Sequence, residues 1–426
     1  MNNILVIGFT HLGLVYASCF AKKGMRVTLS KSINSEQQDF DISHLKSEPF
    51  LLEYITQAKE VNMLDFVELD LIDFNSFDLI MIAEDTPIGS DNTPKFEHIL
   101  EILSYVDTLN VKRLPIVLMS QVYPGFCRSA TVDSPLFYWV ETLIFGRAVD
   151  RATNPEQIVV GLNKSDDPIP TEFDNVLKLY SSPTHIVSWE TAELTKISFN
   201  FMLSMSVIGT NFLATVSESV GASWKDVSKA LKLDSRIGER AYLSPGLGIT
   251  GGNLPRDLST LQNISKNLPS YYENFLKEVV DFNAQQYLWL RETIHSLQEE
   301  FDLPSGKLTI GLLGLAYKIG TSDLRNSPSL SLANQLPNQI FLAFDPEVKQ
   351  IPIKSNVEVC KTIRELFEKC KILILVTPWP EIVYSLEAGS FIFHDTIIID
   401  SSNTLSRTTL QKFRVYRQRG EASNAS

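Results

Sequence analysis

The apolar run NILVI leads into Gly8-Phe9-Thr10-His11-Leu12-Gly13. A turn of this spacing between a strand and a helix serves phosphate chemistry. Its first glycine allows the tight turn, its last lets the helix pack on the strand, and the helix end presents N–H groups to an anion. The run matches G-x-G-x-x-G except at the second glycine, where Thr10 adds a side chain at the point of closest pyrophosphate approach. A second departure follows at the end of the next strand, where an NAD-binding chain places an acid on the ribose hydroxyls. Here the residues are Ser30-Lys31-Ser32. Hydroxyls around a lysine suit the 2′-phosphate of NADP, and they equally suit a solvated loop in a chain that has lost its cofactor. NAD, NADP and neither stand side by side, with a nicotinamide dinucleotide of some kind favoured.

The elements that must position this turn follow from the apolar pattern. Asn3 to Gly8 reads as a strand, Leu12, Val15, Cys19 and Phe20 fall at helical spacing until Gly24, and Arg26 to Leu29 reads as a second strand. This is a βαβ unit, for which a parallel sheet and a right-handed crossover are expected. Apolar runs at Leu79 to Ala83 and Pro115 to Ser120 continue it into a doubly wound, Rossmann-type domain over 1–187. From Thr191 to Val220 one long helical stretch is apolar on more than one side, with no Pro or Gly before Gly209. Such a helix is buried widely, either in a subunit interface, the favoured reading, or in the core of a large monomer. It opens a central helical dimerisation region, 188–302. A linker at Leu303 to Gly306 leads into KLTIGLLGLAYK, and runs at Ile340 to Phe344, Lys371 to Val376 and Thr396 to Asp400 mark a C-terminal Rossmann-like α/β domain, 303–426. The closing GEASNAS reads as a frayed tail.

Bulk properties exclude several classes. A chain of 426 residues, 44% hydrophobic, is long enough for two or three cored domains. A net charge of -12 argues against a nucleic-acid partner, whose phosphates need Lys and Arg. Cys19, Cys127, Cys360 and Cys370 are too few and too scattered for a disulfide framework, so reduced thiols are expected. No Cys-x-x-Cys or His-x-x-x-His spacing supports a metal site. The N-terminus lacks the features of a signal peptide, and no apolar run reads as a bilayer span of about 20 residues. The expectation is a soluble cytoplasmic protein without a membrane partner.

A degenerate glycine turn alone is weak evidence, but eight further motifs follow it in order. They are Glu48-Pro49, Thr86-Pro87, Ser120-Gln121-Val122, Glu141-Thr142-Leu143, Thr191 to Lys196 with Asn200, Asp234 to Gly238, Pro255-Arg256-Asp257, and Lys318 to Asp323 with Arg325 to Pro328. With Gly8 to Gly13 they make nine in number, and along nearly the whole chain they resemble the UDP-glucose/GDP-mannose dehydrogenase family. The resemblance implies a dinucleotide domain, a central helix that forms a homodimer, and a C-terminal domain that helps hold a nucleotide-sugar, a UDP-sugar being favoured. It implies that Lys196 and Asn200 lie beside the oxidised carbon, the lysine steadying an oxyanion and the asparagine orienting it or a water. Glu141 and Asp257 are the implied acidic partners, able to accept the alcohol proton. Gly8, Thr10, His11, Leu12, Gly13, Ser30, Lys31, Thr86, Ser120, Gln121, Arg256 and Arg325 become candidates for the cofactor. Tyr242, Leu243, Ser244, Gly246 and Gly248 resemble the loop whose backbone wraps the substrate phosphates, and Arg236 and Lys318 are further substrate candidates.

The family converts an alcohol to an acid in two hydride transfers, holding the aldehyde on a cysteine. In G-x-G-G-S-C-F-P-K-D register this chain reads Gly248 to Asp257, with Asn253 at the cysteine position. An amide is no nucleophile, and Cys127 is the sole, remote alternative. Three readings remain open: a single hydride transfer or aldehyde-hydrate oxidation without a covalent intermediate, a redox-neutral epimerisation, and a non-catalytic binding protein. Retention of Lys196, Asn200, Glu141 and Asp257 together places an enzyme first.

Overall fold

The computed structural model describes residues 3–33, 40, 42, 48–89, 93–304, 308–351, 355–388 and 393–421. Half of the expected linker, Ser305 and Gly306, and the end of the expected tail, 422–426, lie outside the described residues. The chain divides into two compact units, 1–199 and 200–426.

The first unit opens with β1 (Asn3–Ile7), α1 (His11–Lys22) and β2 (Arg26–Ser30), then α2 (Leu51–Glu60), β3 (Leu64–Phe66) and β4 (Leu79–Ile82). It continues through α3 (Glu97–Leu109), β5 (Ile116–Leu118), α4 (Phe126–Ser129), β6 (Leu136–Trp139), α5 (Ala148–Thr153), β7 (Ile158–Leu162), α6 (Thr171–Leu177) and β8 (Thr184–Ser188). The strands form one sheet in the order β3-β2-β1-β4-β5-β6-β7-β8, parallel except where β7 runs against β6. Strands of a sheet covered on both faces are apolar throughout, and all four residues of β4 are buried. Side chains alternate between two cores. Ile4 and Val6 join the cluster with Leu14 and Val27, while Leu5 and Ile7 join the cluster with Ile80 and Ile99. Strand order reverses between β1 and β4, the place where open α/β sheets bind ligands.

The long helix α7 (Trp189–Val220) begins in the first unit and continues in the second. It has 32 residues and a mean hydropathy of 1.4 in its most apolar window, so by length and composition it could cross a membrane, which the sequence reading did not anticipate. Two of its buried polar side chains are engaged inside the protein: Asn211 accepts from the Gly246 amide at 2.8 Å and the Thr210 hydroxyl donates to the Tyr242 carbonyl at 3.0 Å.

The second unit adds α8 (Trp224–Leu233), α9 (Asn253–Ser265), α10 (Ser270–Ala284) and α11 (Gln286–Glu300). A second sheet follows with β9 (Thr309–Leu313), α12 (Pro328–Gln335), β10 (Ile340–Phe344), β11 (Val357–Val359), α13 (Ile363–Lys369), β12 (Ile372–Leu375), α14 (Pro380–Ala388), β13 (Phe393–Asp400), α15 (Arg407–Leu410) and β14 (Phe413–Gln418). Its order, β11-β10-β9-β12-β13-β14, is parallel throughout and again reverses beside its first strand. Here the acid beyond the second strand is spent on structure, Asp345 accepting from the amides of Leu315 and Ala316 at 2.7 and 2.9 Å. The α/β class and the Rossmann-type architecture of both sheets agree with the sequence reading.

Candidate active site

The mouth of the first sheet is built on two glycines that tolerate no Cβ. Gly8 has φ +124°, and a Cβ there would lie 2.6 Å from the Ala83 carbonyl carbon and 2.8 Å from the Glu84 nitrogen. At Gly13 it would lie 1.9 Å from the Gly8 oxygen. Thr10 is the N-cap of α1: its hydroxyl accepts from the Gly13 amide at 3.2 Å and donates to the Ala83 carbonyl at 2.8 Å. That hydroxyl is therefore turned back onto the strand ends, and the helix end stays available to an anion. Leu12 is buried in the core, so only its backbone is offered to a ligand. His11 stacks on Phe145 at 4.3 Å and meets Glu48 at 3.2 Å, while Glu48 also accepts from the amides of Gly146 and Ala148. Burial holds the His11 imidazole below its ordinary pKa, against the raising effect of Glu48.

Lys31 is buried, its ammonium 2.7 Å from Glu68 and 4.3 Å over the Phe40 ring. The cation that the sequence offers to a 2′-phosphate is thus already paired. Ser30 donates to the Lys31 carbonyl at 3.0 Å. Beyond β4 and β5, the Thr86 hydroxyl donates to the Gln121 carbonyl. The Ser120 hydroxyl and both polar atoms of the Gln121 amide are buried without a hydrogen-bond partner. Buried polar groups normally have partners. These orphaned groups, the glycine turn and the helix end together fit the hydroxyls and phosphates of a nicotinamide dinucleotide.

Also in the first unit, Glu141 follows β6 and receives the Leu143 amide at 2.8 Å. Lys196, on α7, donates to both the carboxylate and the main-chain carbonyl of Glu141. The two side chains are 11% and 17% exposed, so the pair is mostly withdrawn from water. One turn earlier on α7, buried Glu193 accepts from the Gly125 and Cys127 amides at 2.6 and 2.8 Å and caps α4.

In the second unit Asn200 donates its amide to Asp257, and Arg256 donates to the other oxygen of the same carboxylate at 2.9 Å. Asp257 is 1% exposed. Arg256, a cofactor candidate from the sequence, is thereby committed to its neighbour. Asn253 is exposed at the first residue of α9, one turn before Asp257. The loop before it is pinned from several helices. The Trp224 indole donates to the Leu243 carbonyl at 2.9 Å, and Asn283 accepts from the Ile249 amide at 2.6 Å. The Asn326 amide donates to the Gly251 carbonyl at 2.7 Å. Gly248 and Gly251 take φ +96° and +75°, and a Cβ on Gly251 would lie 2.4 Å from the Tyr317 ring. Tyr242 and Ser244 remain exposed on this loop, with Gly246 partly so. Arg236 is held by Asp234 at 2.9 and 2.6 Å, Arg325 by Asp323 at 2.8 Å, and the Lys318 ammonium lies 5.5 Å from the Tyr317 ring centre.

No native thiol is poised for chemistry. Burial, then the Glu193 carboxylate, push the Cys127 thiol well above its usual range. Burial raises Cys19 and Cys360, and pushes Cys370 up to about 12. The sequence reading missed the positioning roles of Asn211, Asn283, Glu48 and Glu193. Glu48 and Glu193 lay within the quoted motifs, and lone amides in helical patterns were the available signal for Asn211 and Asn283.

A largely parallel first sheet with a phosphate-type glycine turn at its switch point, and a lysine–glutamate pair in the same unit, point to the class of dinucleotide-dependent dehydrogenases. Residues 2–181 match the NAD binding domain, 190–285 the central domain and 311–407 the UDP binding domain of the UDP-glucose/GDP-mannose dehydrogenase family, and the chain belongs to that family. It is 29% identical to UDP-glucose 6-dehydrogenase of Rickettsia conorii over 97% of this chain and 98% of that one. It is 25% identical to UDP-glucose 6-dehydrogenase TuaD of Bacillus subtilis over 96% and 91%. Among solved structures, a UDP-glucose dehydrogenase from the archaeon Pyrobaculum islandicum shares the fold with a TM-score of 0.81 at 21% identity, covering 99% of this chain and 98% of that one. The expected family and a nicotinamide dinucleotide cofactor therefore stand.

Proposed function

We propose that this protein oxidises a sugar alcohol of a UDP-sugar by one hydride transfer, without a cysteine thioester. The observation that carries the reading is the distribution of sulfur: all four thiols are buried with raised pKa values, and Asn253 occupies the exposed end of α9 one turn from Asp257. A bound nicotinamide dinucleotide supplies the hydride acceptor. The Glu141 carboxylate accepts the hydroxyl proton, directly or through water, as the carbon gives up its hydride and the C=O bond forms. Lys196, fixed by two oxygens of Glu141, offsets the negative charge developing on the substrate oxygen. Asn200, four residues along α7 and oriented by Asp257, keeps a neutral amide available to a substrate oxygen or a water. The 242–248 loop presents its backbone to the diphosphate. Asn253 donates and accepts hydrogen bonds where a thiol would bind the aldehyde covalently.

Exposed apolar side chains along α7, among them Phe199, Met202, Phe212, Leu213, Val216 and Val220, support a homodimer through this helix. The test is to incubate purified protein with UDP-sugars and NAD⁺ or NADP⁺, following reduced cofactor and product mass. One reduced cofactor per aldehyde or ketone is expected. Two per acid refutes the two-electron reading, and an isomer without net reduction replaces it with epimerisation.

A further inference from the structure

The end of β2 carries no acid for a ribose, and its one cation is consumed by Glu68. A carboxylate reaches the same place from the other side of β1. Glu84 follows β4, and its backbone nitrogen is the atom that a Cβ on Gly8 would meet at 2.8 Å, so it borders the glycine turn directly. Its half-buried side chain does not turn away along its own loop but is hydrogen-bonded by Ser32, just beyond β2. Gly8 in turn donates its amide to the Ser30 carbonyl at 2.9 Å. The ends of β2, β1 and β4 thus converge, and the Glu84 carboxyl meets the residue just beyond β2, the strand whose end normally supplies the acid for the adenosine ribose of a dinucleotide. Burial, partly offset by Ser32, raises its pKa to about 7, as befits an acid whose ionised form lacks a full set of donors.

We propose that Glu84 replaces the missing acid of β2, accepting hydrogen bonds from the ribose hydroxyls and making the site selective for NAD over NADP. A ribose donates two hydroxyls to such a carboxylate. A 2′-phosphate dianion would face Glu84 and Asp85 with Lys31 already neutralised. Among the described residues, Asp85 on its own loop is the charged group whose field reaches Glu84, while Lys31, next to Ser32, is already paired with Glu68. The inference rests on the first unit being the cofactor site and is independent of how many electrons the enzyme transfers.

The test is calorimetric titration of the full chain with NAD⁺ and with NADP⁺, without substrate, at pH 6 to 8.5. Wild type is expected to bind NAD⁺ at least tenfold more tightly, with affinity falling as pH drops through about 7. Glu84→Gln should lose about tenfold in NAD⁺ affinity and most of that pH dependence, while NADP⁺ binding holds or improves. Unchanged NAD⁺ affinity in a folded Glu84→Gln, or wild-type preference for NADP⁺, overturns the proposal while leaving the dehydrogenase reading intact. Failure of wild type to bind either dinucleotide overturns both.

Discussion

Asn253→Cys places a thiol at the exposed first residue of the 13-residue helix α9. The helix N-terminus stabilises a thiolate, and thiols there titrate as high as about 7.5, against about 8.5 for free cysteine. The nearest acid in the helix, Asp257, is compensated by Arg256 and Asn200, so it opposes this little. A shift of one unit raises the thiolate fraction at pH 7 from about 3% to about 24%, while the Brønsted loss of intrinsic nucleophilicity returns about threefold of that gain. Alkylation at pH 7 should therefore be only about two to three times faster than for a free thiol, but the midpoint of its pH profile should fall by about one unit. Iodoacetamide labelling read by mass spectrometry reports this cleanly, because the four native thiols are at most 7% exposed. In the same variant the thiolate can add to the aldehyde carbon, a second hydride can leave, and water can hydrolyse the thioester. Reduced cofactor per sugar should accordingly rise from one toward two. A labelling midpoint at or above 8.5 would refute the helix-end reasoning. Unchanged stoichiometry with a reactive thiol would place Asn253 away from the reacting carbon.

Two further substitutions separate the units. Lys196→Ala leaves the Glu141 carboxylate mostly enclosed and without its cation, which should cost about 3 kcal/mol in chemical denaturation. It should also abolish cofactor reduction while UDP-sugar binding persists, and full activity in this variant would remove Lys196 from the site. Gly251→Ala combines φ +75° with a methyl 2.4 Å from the Tyr317 ring. It should displace the loop and weaken UDP binding by about tenfold, the backbone strain alone costing about 1–2 kcal/mol, while NAD⁺ binding to the first unit is retained; unaltered UDP affinity would show that the loop does not hold the phosphates.

Four strands of each sheet were legible because a doubly covered parallel sheet turns strands into short apolar runs, and β10 coincides with its expected span, Ile340 to Phe344; the outer strands β3, β6, β7, β8, β11 and β14 were not singled out by such a run. Helix α7 was equally plain, though it starts two residues earlier, at Trp189. The pairings that decide chemistry were less so. Lys31 and Glu68 are 37 residues apart, Lys196 and Glu141 are 55 apart, and no local pattern marks either pair. Thr10 shows how one residue supports opposite readings. As a missing glycine it obstructs a pyrophosphate, but as a threonine before a helix it is an N-cap, and the structure shows the latter with its hydroxyl folded onto Ala83.

The same distinction bears on Asn253. Decay of a site loosens its supports, because nothing then holds buried polar groups against the cost of burying them. Around Asn253 the main supports are in place: Asp257 is held on both oxygens, and the preceding loop is fixed by Asn211, Trp224, Asn283 and Asn326. At the cofactor mouth, too, Thr10 caps its helix, Lys31 is neutralised, and the Glu84 carboxyl is hydrogen-bonded by Ser32. Departures accompanied by such local compensation fit a chain that still binds its ligands, which is the premise of the two-electron proposal.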